Sequence, residues 1–266
     1  MPETRTPAIL LRRVEYGDYD LILTFLTRDF GKLSAIAKSA RKSAKRFAGR
    51  LESFAVLRIL CSVGRRSCSV GRRSGLPILQ EADLINLHPS IRTDVMKTAY
   101  ASYWAELIDR WTEEAEQQPD LFFLLQHVFE QLNSGPVSPA ELSILFQIRL
   151  LALTGHQPNL RQCGICRTDL DQAADSGFQV DLPKGGLICS RCSPAAAGSR
   201  ITLTKGTIKQ LLWIAKTELI KAGRIRFAGQ ALSEGQRFLE TFLPFHLGQE
   251  PRSLKILRQI RENRPG

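Results

Sequence analysis

Apolar residues alternate in short runs over the first 80 positions and recur every three or four residues beyond position 94. The first pattern predicts strands and the second amphipathic helices. Ala8 to Val14, Leu21 to Thr27, Leu33 to Lys38 and Phe54 to Cys61 read as strands, separated by YGDYD, RDFG and a basic loop, all turn-like in composition. In LILTFLT, Leu21, Leu23 and Phe25 share one face while Ile22, Thr24 and Leu26 share the other. A strand apolar on both faces fits a small barrel or packed sheet better than a solvent-facing hairpin. Helices are expected over 94–111, 119–132, 138–155, 204–223, 231–247 and 251–263. Ser138-Pro139 with Glu141 is a helix start, and Gly155 a stop.

The resulting plan is an α+β multidomain chain. Residues 1–80 form a β module and 81–162 a helical domain; 163–200 carry four cysteines, and 201–266 supply helices that pack with the helical domain. The densest apolar stretch, Leu142 to Leu153, is broken by Gln147 and Arg149, well short of the roughly 20 residues of a membrane span. The apolar segment before Arg12-Arg13 is too short for a signal peptide, so a cytoplasmic location is expected.

Charge is unevenly divided. The net value is +11, but residues 1–80 carry +10, residues 81–162 carry −6 and residues 163–266 carry +7. The two basic ends suit a polyanion and the acidic middle does not. A pI near 9.7 serving only solubility is the plainer alternative.

Cys163-x2-Cys166 and Cys189-x2-Cys192 form two knuckles separated by 22 residues, with a Gly-Gly turn between them. Two residues between cysteines let one tight turn present both sulfurs to one ion, and two such turns complete a tetrahedral set. A structural Zn2+, one per chain, is the expected occupant, since four thiolates leave no ligand position open for catalysis. Two redox pairs or four unrelated thiols are the competing readings. Cys61 and Cys68 lack such a partner.

The loop KSARKSAKRFAGR holds Lys38, Arg41, Lys42, Lys45, Arg46 and Arg50 with no acid among them. Such a loop can track phosphates through Lys/Arg contacts and hydroxyl donors, without reading bases. Phe47 and Phe54 are candidate stacking platforms, at least one of which is expected in the core. CSVGRRS occurs twice in succession, from Cys61 to Ser74, adding Arg65, Arg66, Arg72 and Arg73 in what reads as a tolerated loop insertion. No phosphate-binding glycine loop, nucleophile elbow or zinc-protease motif is present, and the four histidines are scattered. Asp18 and Asp20 sit in a turn where Asp caps backbone. The chain is not expected to be an enzyme.

EYGDYDLILTFLTRDFGKLSAIAKSARKSAKRF, the following ESF, LLALTGHQPNLRQCGIC and GGLICSRC resemble, in that order, the blocks of the RecO family of bacterial recombination mediators. The resemblance implies a five-stranded OB-fold barrel followed by an all-helical domain carrying the zinc module. It implies binding of single- and double-stranded DNA, annealing of complementary strands, and partnership with RecR. It also implies contact with the C-terminal tail of single-stranded DNA-binding protein, so that RecA is loaded. Two local departures stand out: the family usually has Gly at Ser39 and at Arg167. A zinc-ribbon protein of transcription and a non-catalytic scaffold are the alternatives.

Overall fold

The N-terminal runs close on themselves. In the computed structural model, which describes residues 5–43, 46–62, 75–172, 178–193, 200–224 and 226–263, strands β1 (Arg5–Tyr16), β2 (Asp20–Thr27), β3 (Gly31–Ala37), β4 (Val56–Ser62) and β5 (Ile78–Asn86) form a closed barrel. The strand order is β1-β2-β3-β5-β4. Neighbours are antiparallel except β3 and β5, which meet in parallel at Ile36 and Ile78. This is the five-stranded barrel that the resemblance implied.

The expected boundary at residue 80 therefore needs correction. It falls inside β5, whose pairing with β4 continues from Ser62↔Ile78 to Val56↔Asn86. A barrel cannot close without its last strand, so the module extends to Asn86.

The two-sided apolarity of β2 has a structural cause. Leu21, Leu23 and Phe25 fill the barrel interior with Leu10, Ala35, Ala37, Leu57 and Ile59. Ile9 and Leu26, at paired positions outside that interior, are also fully buried. Helices α2 (Val95–Trp111) and α3 (Pro119–Ser134) pack on β1 and β2 and supply that cover. The short helix α1 (Pro89–Thr93) precedes them. These three helices thus belong with the barrel in one compact unit, Met1–Ser134, and the second unit is Gly135–Gly266. The single helical domain expected over 81–162 is divided between the two.

The loop after α2 docks on the β2–β3 turn. Ala115 N–H donates to the Lys32 carbonyl (3.0 Å), and Lys32 Nζ donates to the Asp109 carbonyl (2.6 Å). Gly31 sits under this loop at φ +67°, where an added Cβ would lie 1.7 Å from the Glu116 carbonyl oxygen. No side chain fits there.

In the second unit α4 (Pro139–Leu153) starts with a reciprocal cap between Ser138 and Glu141, as expected. Its residues 141–151 are buried apart from the partly exposed Arg149, because α5 (Lys205–Lys216) and α7 (Gly229–Leu247) pack against it. The helix expected over 204–223 breaks at Thr217, whose ψ of 150° is extended, and resumes as α6 (Leu219–Ala222). The cysteines lie in a four-stranded sheet, order β6-β8-β7-β9, built from β6 (Asn159–Cys163), β7 (Phe178–Asp181), β8 (Gly186–Cys189) and β9 (Arg200–Leu203). The module therefore starts before 163 and ends after 200, because its edge strands flank the knuckles. Helix α8 (Arg252–Glu262) closes the unit by placing Arg258 and Arg261 on the buried Glu240 of α7, at 3.4 and 2.7 Å.

Both departures from the family's glycine pattern fall on left-handed backbone: Ser39 has φ +53° and Arg167 φ +61°. A Cβ is strained there, at a cost on the order of 1–3 kcal/mol, partly offset by the greater unfolded freedom of glycine. Ser39→Gly and Arg167→Gly should each stabilise their unit by about 0.5–1 kcal/mol in a denaturant melt. Gly31→Ala should cost at least about 2 kcal/mol, and an unchanged melt would contradict the close approach of Glu116.

Candidate nucleic-acid interface and metal centre

The described residues between β3 and β4 form tight turns rather than a free loop. Lys42 N–H donates to the Ser39 carbonyl (3.2 Å), Ser43 N–H to the Ala40 carbonyl (3.4 Å), and Arg50 N–H to the Phe47 carbonyl (3.1 Å). Phe47 and Leu51 drop into the barrel core, and Phe54 packs edge-on against Phe129 of α3 at 5.6 Å. Both phenylalanines are buried, so neither is a stacking platform. The sequence expected at least one in the core; both anchor the C-terminal side of the loop, Phe47 directly after Arg46 and Phe54 just before β4. His88 Nδ1 lies 2.9 Å from the Phe54 carbonyl oxygen. Burial and this bond place the His88 imidazole out of solvent, with its pKa lowered by desolvation.

With Ala37 buried at the end of β3 and Phe47 buried after Arg46, the cations between them face outward. Lys38, Arg41, Lys42 and Arg46 are exposed, and Arg50 is partly so. Arg41 and Lys42 line a cavity of about 350 Å³ whose walls include Leu21, Phe47 and Leu51. Arg13 of β1 joins them there and donates to the Leu51 carbonyl (3.2 Å). Arg46 instead caps the Phe47 ring at 4.4 Å and donates to the Lys38 carbonyl (3.0 Å). Arg50 turns away to the Ala82 carbonyl (3.1 Å) and Asp83 of β5 (3.8 Å). So the structure gathers Lys38, Arg41, Lys42 and Arg46 and sets Arg50 apart. Lys45, Arg65, Arg66, Arg72 and Arg73, with the heptapeptide duplication, lie outside the described residues apart from Cys61 and Ser62.

Strand-by-strand reading missed three residues here. Arg13 belonged to a strand and was not counted with the loop. Tyr16 and Tyr19, at either end of the β1–β2 turn, are 55% and 44% exposed. The signal for them was two tyrosines in one turn, EYGDYD. That turn is fastened to the basic loop. Asp20 accepts the Ser39 N–H at 2.7 Å, the Tyr19 carbonyl accepts the Arg41 N–H at 3.0 Å, and the Asp18 carbonyl accepts Arg41 Nη1 at 3.1 Å. Capping by Asp20 is the role its turn position implied.

All four cysteine sulfurs of the second unit lie within 4.8 Å of one another, which excludes four unrelated thiols. The Cys166 and Cys189 sulfurs, one from each knuckle, are 3.7 Å apart. A tetrahedral ion with bonds of about 2.3 Å needs sulfurs about 3.8 Å apart, whereas a disulfide needs about 2.05 Å. The first knuckle is shaped by Arg167 N–H donating to the Cys163 carbonyl (3.0 Å) and Gly164 N–H to the Leu187 carbonyl (2.8 Å). The second is closed by Cys192 N–H on the Cys189 carbonyl (3.0 Å). Thr168 holds the Cys166 thiol down to about 6, through its hydroxyl at 3.2 Å and its backbone, and contact with Cys166 pushes Cys192 up to about 12. Cys61 on β4 stands apart, its thiol raised to about 11 by burial. The donor set, spacing and geometry fit one thiophilic metal ion.

Comparison with known proteins spans both units and divides the chain just after the barrel rather than at residue 134. The family model described as "Recombination protein O N terminal" matches residues 1–87, and "Recombination protein O C terminal" matches residues 92–255. The chain is 43% identical over 264 residues to the DNA repair protein RecO of Desulfosudis oleivorans, covering 98% of this chain and 99% of that one. It is 42% identical over 261 residues to the DNA repair protein RecO of Desulfatibacillum aliphaticivorans, covering 98% of each. The protein of the same name from Bacillus velezensis is 29% identical over 257 residues, covering 97% and 94%. On the barrel, the four-cysteine sheet and these matches across nearly its whole length, the chain belongs to the Recombination protein O family.

Proposed function

We propose that this chain is a recombination mediator of bacterial DNA repair, a non-catalytic protein that binds single- and double-stranded DNA without sequence preference. The observation that carries the reading is the outward-facing group of Lys38, Arg41, Lys42 and Arg46, mounted between Ala37 and Phe47, which are both buried in the barrel core. These cations remain available to phosphate: Arg46 donates to a carbonyl, and Arg41 has one carbonyl and one exposed carboxylate, Glu15 at 3.3 Å. Nothing rigid enters a groove from this loop, so its contacts position the backbone and leave sequence unread. The same turn-rich loop would hold either of two complementary strands, which is what annealing requires. Family membership supports the rest: partnership with RecR, contact with the C-terminal tail of single-stranded DNA-binding protein, indirect loading of RecA, and a cytoplasmic, nucleoid-associated location. Among the described residues no helix is long and apolar enough to cross a membrane.

In this reading the ion held by Cys163, Cys166, Cys189 and Cys192 is zinc, and it serves folding. Cys163 and Cys189 are buried within strands, so their ligation joins β6 to β8. Four thiolates leave no position for a substrate.

Two outcomes test these points. Replacing Arg41, Lys42 and Arg46 together by Ala should weaken binding to all single-stranded sequences alike. It should also flatten the plot of log affinity against log salt by about 0.7 per lost contact, so about 2 overall. An unchanged slope in the folded variant would remove the loop from the interface, and binding confined to one promoter sequence would favour the transcription reading. Cys189→Ser should lose one zinc per chain, with a fall in melting temperature. The bound ion contributes roughly 10–16 kcal/mol in such sites, as much as a whole domain's stability. Purified protein free of metal, yet stable and indifferent to chelator, would contradict the role given to zinc.

A further inference from the structure

Two tyrosines are left unexplained by a purely phosphate-tracking loop. Tyr16 and Tyr19 are about half exposed on the β1–β2 turn, while the aromatic residues within and just after the basic loop, Phe47 and Phe54, are buried. The Tyr19 ring is not bare: Lys42 Nζ lies over it, 3.3 Å from the centroid. The turn beneath is fixed by the three hydrogen bonds to Ser39 and Arg41 described above. An aromatic face on a pinned turn, with the flexible end of a lysine over it, is a preorganised surface with a removable lid.

In a five-stranded barrel of this topology the β1–β2 loop is one of the two that bracket bound oligonucleotides. An unpaired base offers a π-face to such a ring, and the exchange of partners is favourable on both sides. The base takes the ring face, where base–aromatic stacking exceeds an exposed ammonium–ring contact. The ammonium moves to the phosphate that the base brings with it, and the 350 Å³ cavity that Lys42 already lines gives its side chain space to turn. A duplex cannot make this exchange, because its bases are stacked on each other and only its phosphates reach the loop. Building on the nucleic-acid reading above, we infer that Tyr19 is the residue that distinguishes single strand from duplex, by stacking one unpaired base in place of Lys42.

The test compares affinities of the full-length protein, at one salt concentration, for a single-stranded oligonucleotide and its duplex. Tyr19→Leu removes the π-face and leaves the main-chain hydrogen bonds of the turn. It should weaken single-strand binding about tenfold and leave duplex binding within about twofold. Tyr19→Phe and Tyr19→Trp should retain the single-strand affinity, since each keeps a ring. Equal losses on both substrates, no loss on either, or failure of Phe to substitute would overturn the inference. Irradiation of the unaltered protein with iodouracil-substituted single strand is the measurement independent of folding. A crosslink in the peptide containing Tyr19 is expected, and crosslinks confined to other peptides would also overturn it. The underlying reading fails separately, through an unchanged salt slope in the Arg41, Lys42 and Arg46 variant. A flattened slope beside an unchanged single-strand to duplex ratio in Tyr19→Leu would sink only the stacking role.

Discussion

One carboxylate holds the barrel's charged surface in shape. Asp20, the first residue of β2, accepts the N–H of Ser39 at 2.7 Å, and through that bond the β1–β2 turn and the basic loop become one body. With it, the loop folds back on the turn carbonyls of Asp18 and Tyr19, and Ser39 is drawn into left-handed backbone. The strain at Ser39 is thus the local consequence of gathering positive charge at one place. Burial of Ala37 before the cations and of Phe47 after them completes the restraint and leaves the charged side chains between them in solvent.

The second unit solves a different problem with a different interaction. Its sheet is small: β7, β8 and β9 have four residues each and β6 has five. Strands that short bury little apolar area for the entropy they lose, which is why small sheets rely on metal or disulfide links. The sulfur cluster provides that link between β6, β8 and the two knuckles. The adjoining junction is polar too: Glu234 of α7, though partly desolvated, stays below its ordinary pKa because the Thr207 and Thr204 hydroxyls and the Thr204 N–H all donate to it.

Much of this was legible in the chain itself, for reasons that differ by element. The helices α2, α3 and α7 were visible because each buries a stripe, and α4, buried nearly all round, because Ser138 and Glu141 have the spacing of a reciprocal cap ahead of a long apolar run. The cysteine cluster was visible because ligand spacing is a local constraint. What was hidden depended on partners distant in sequence. The end of β5 is set by its pairing with β4, more than twenty residues earlier. The assignment of α2 and α3 to the barrel unit depends on the outer face of β1 and β2; the apolarity of β2 on both faces was legible, but its cover could not be identified from the strand alone. Arg13, Tyr16 and Tyr19 became part of the candidate interface only when the β1–β2 turn was seen against the loop. Backbone strain at Ser39 and Arg167 had a trace in the sequence, as two residues standing where the family has glycine, and its meaning required the dihedral angles.

The central claim is that nucleic acid lies across the fused turn and loop of the barrel. Amide hydrogen exchange of the full-length protein, with and without a single-stranded oligonucleotide, reads this directly. The account predicts slowed exchange in the segments Gly17–Asp20 and Ser39–Ser43, with little change in the core strands. Protection confined to the cysteine knuckles, with both barrel segments unaffected at saturating oligonucleotide, would contradict it.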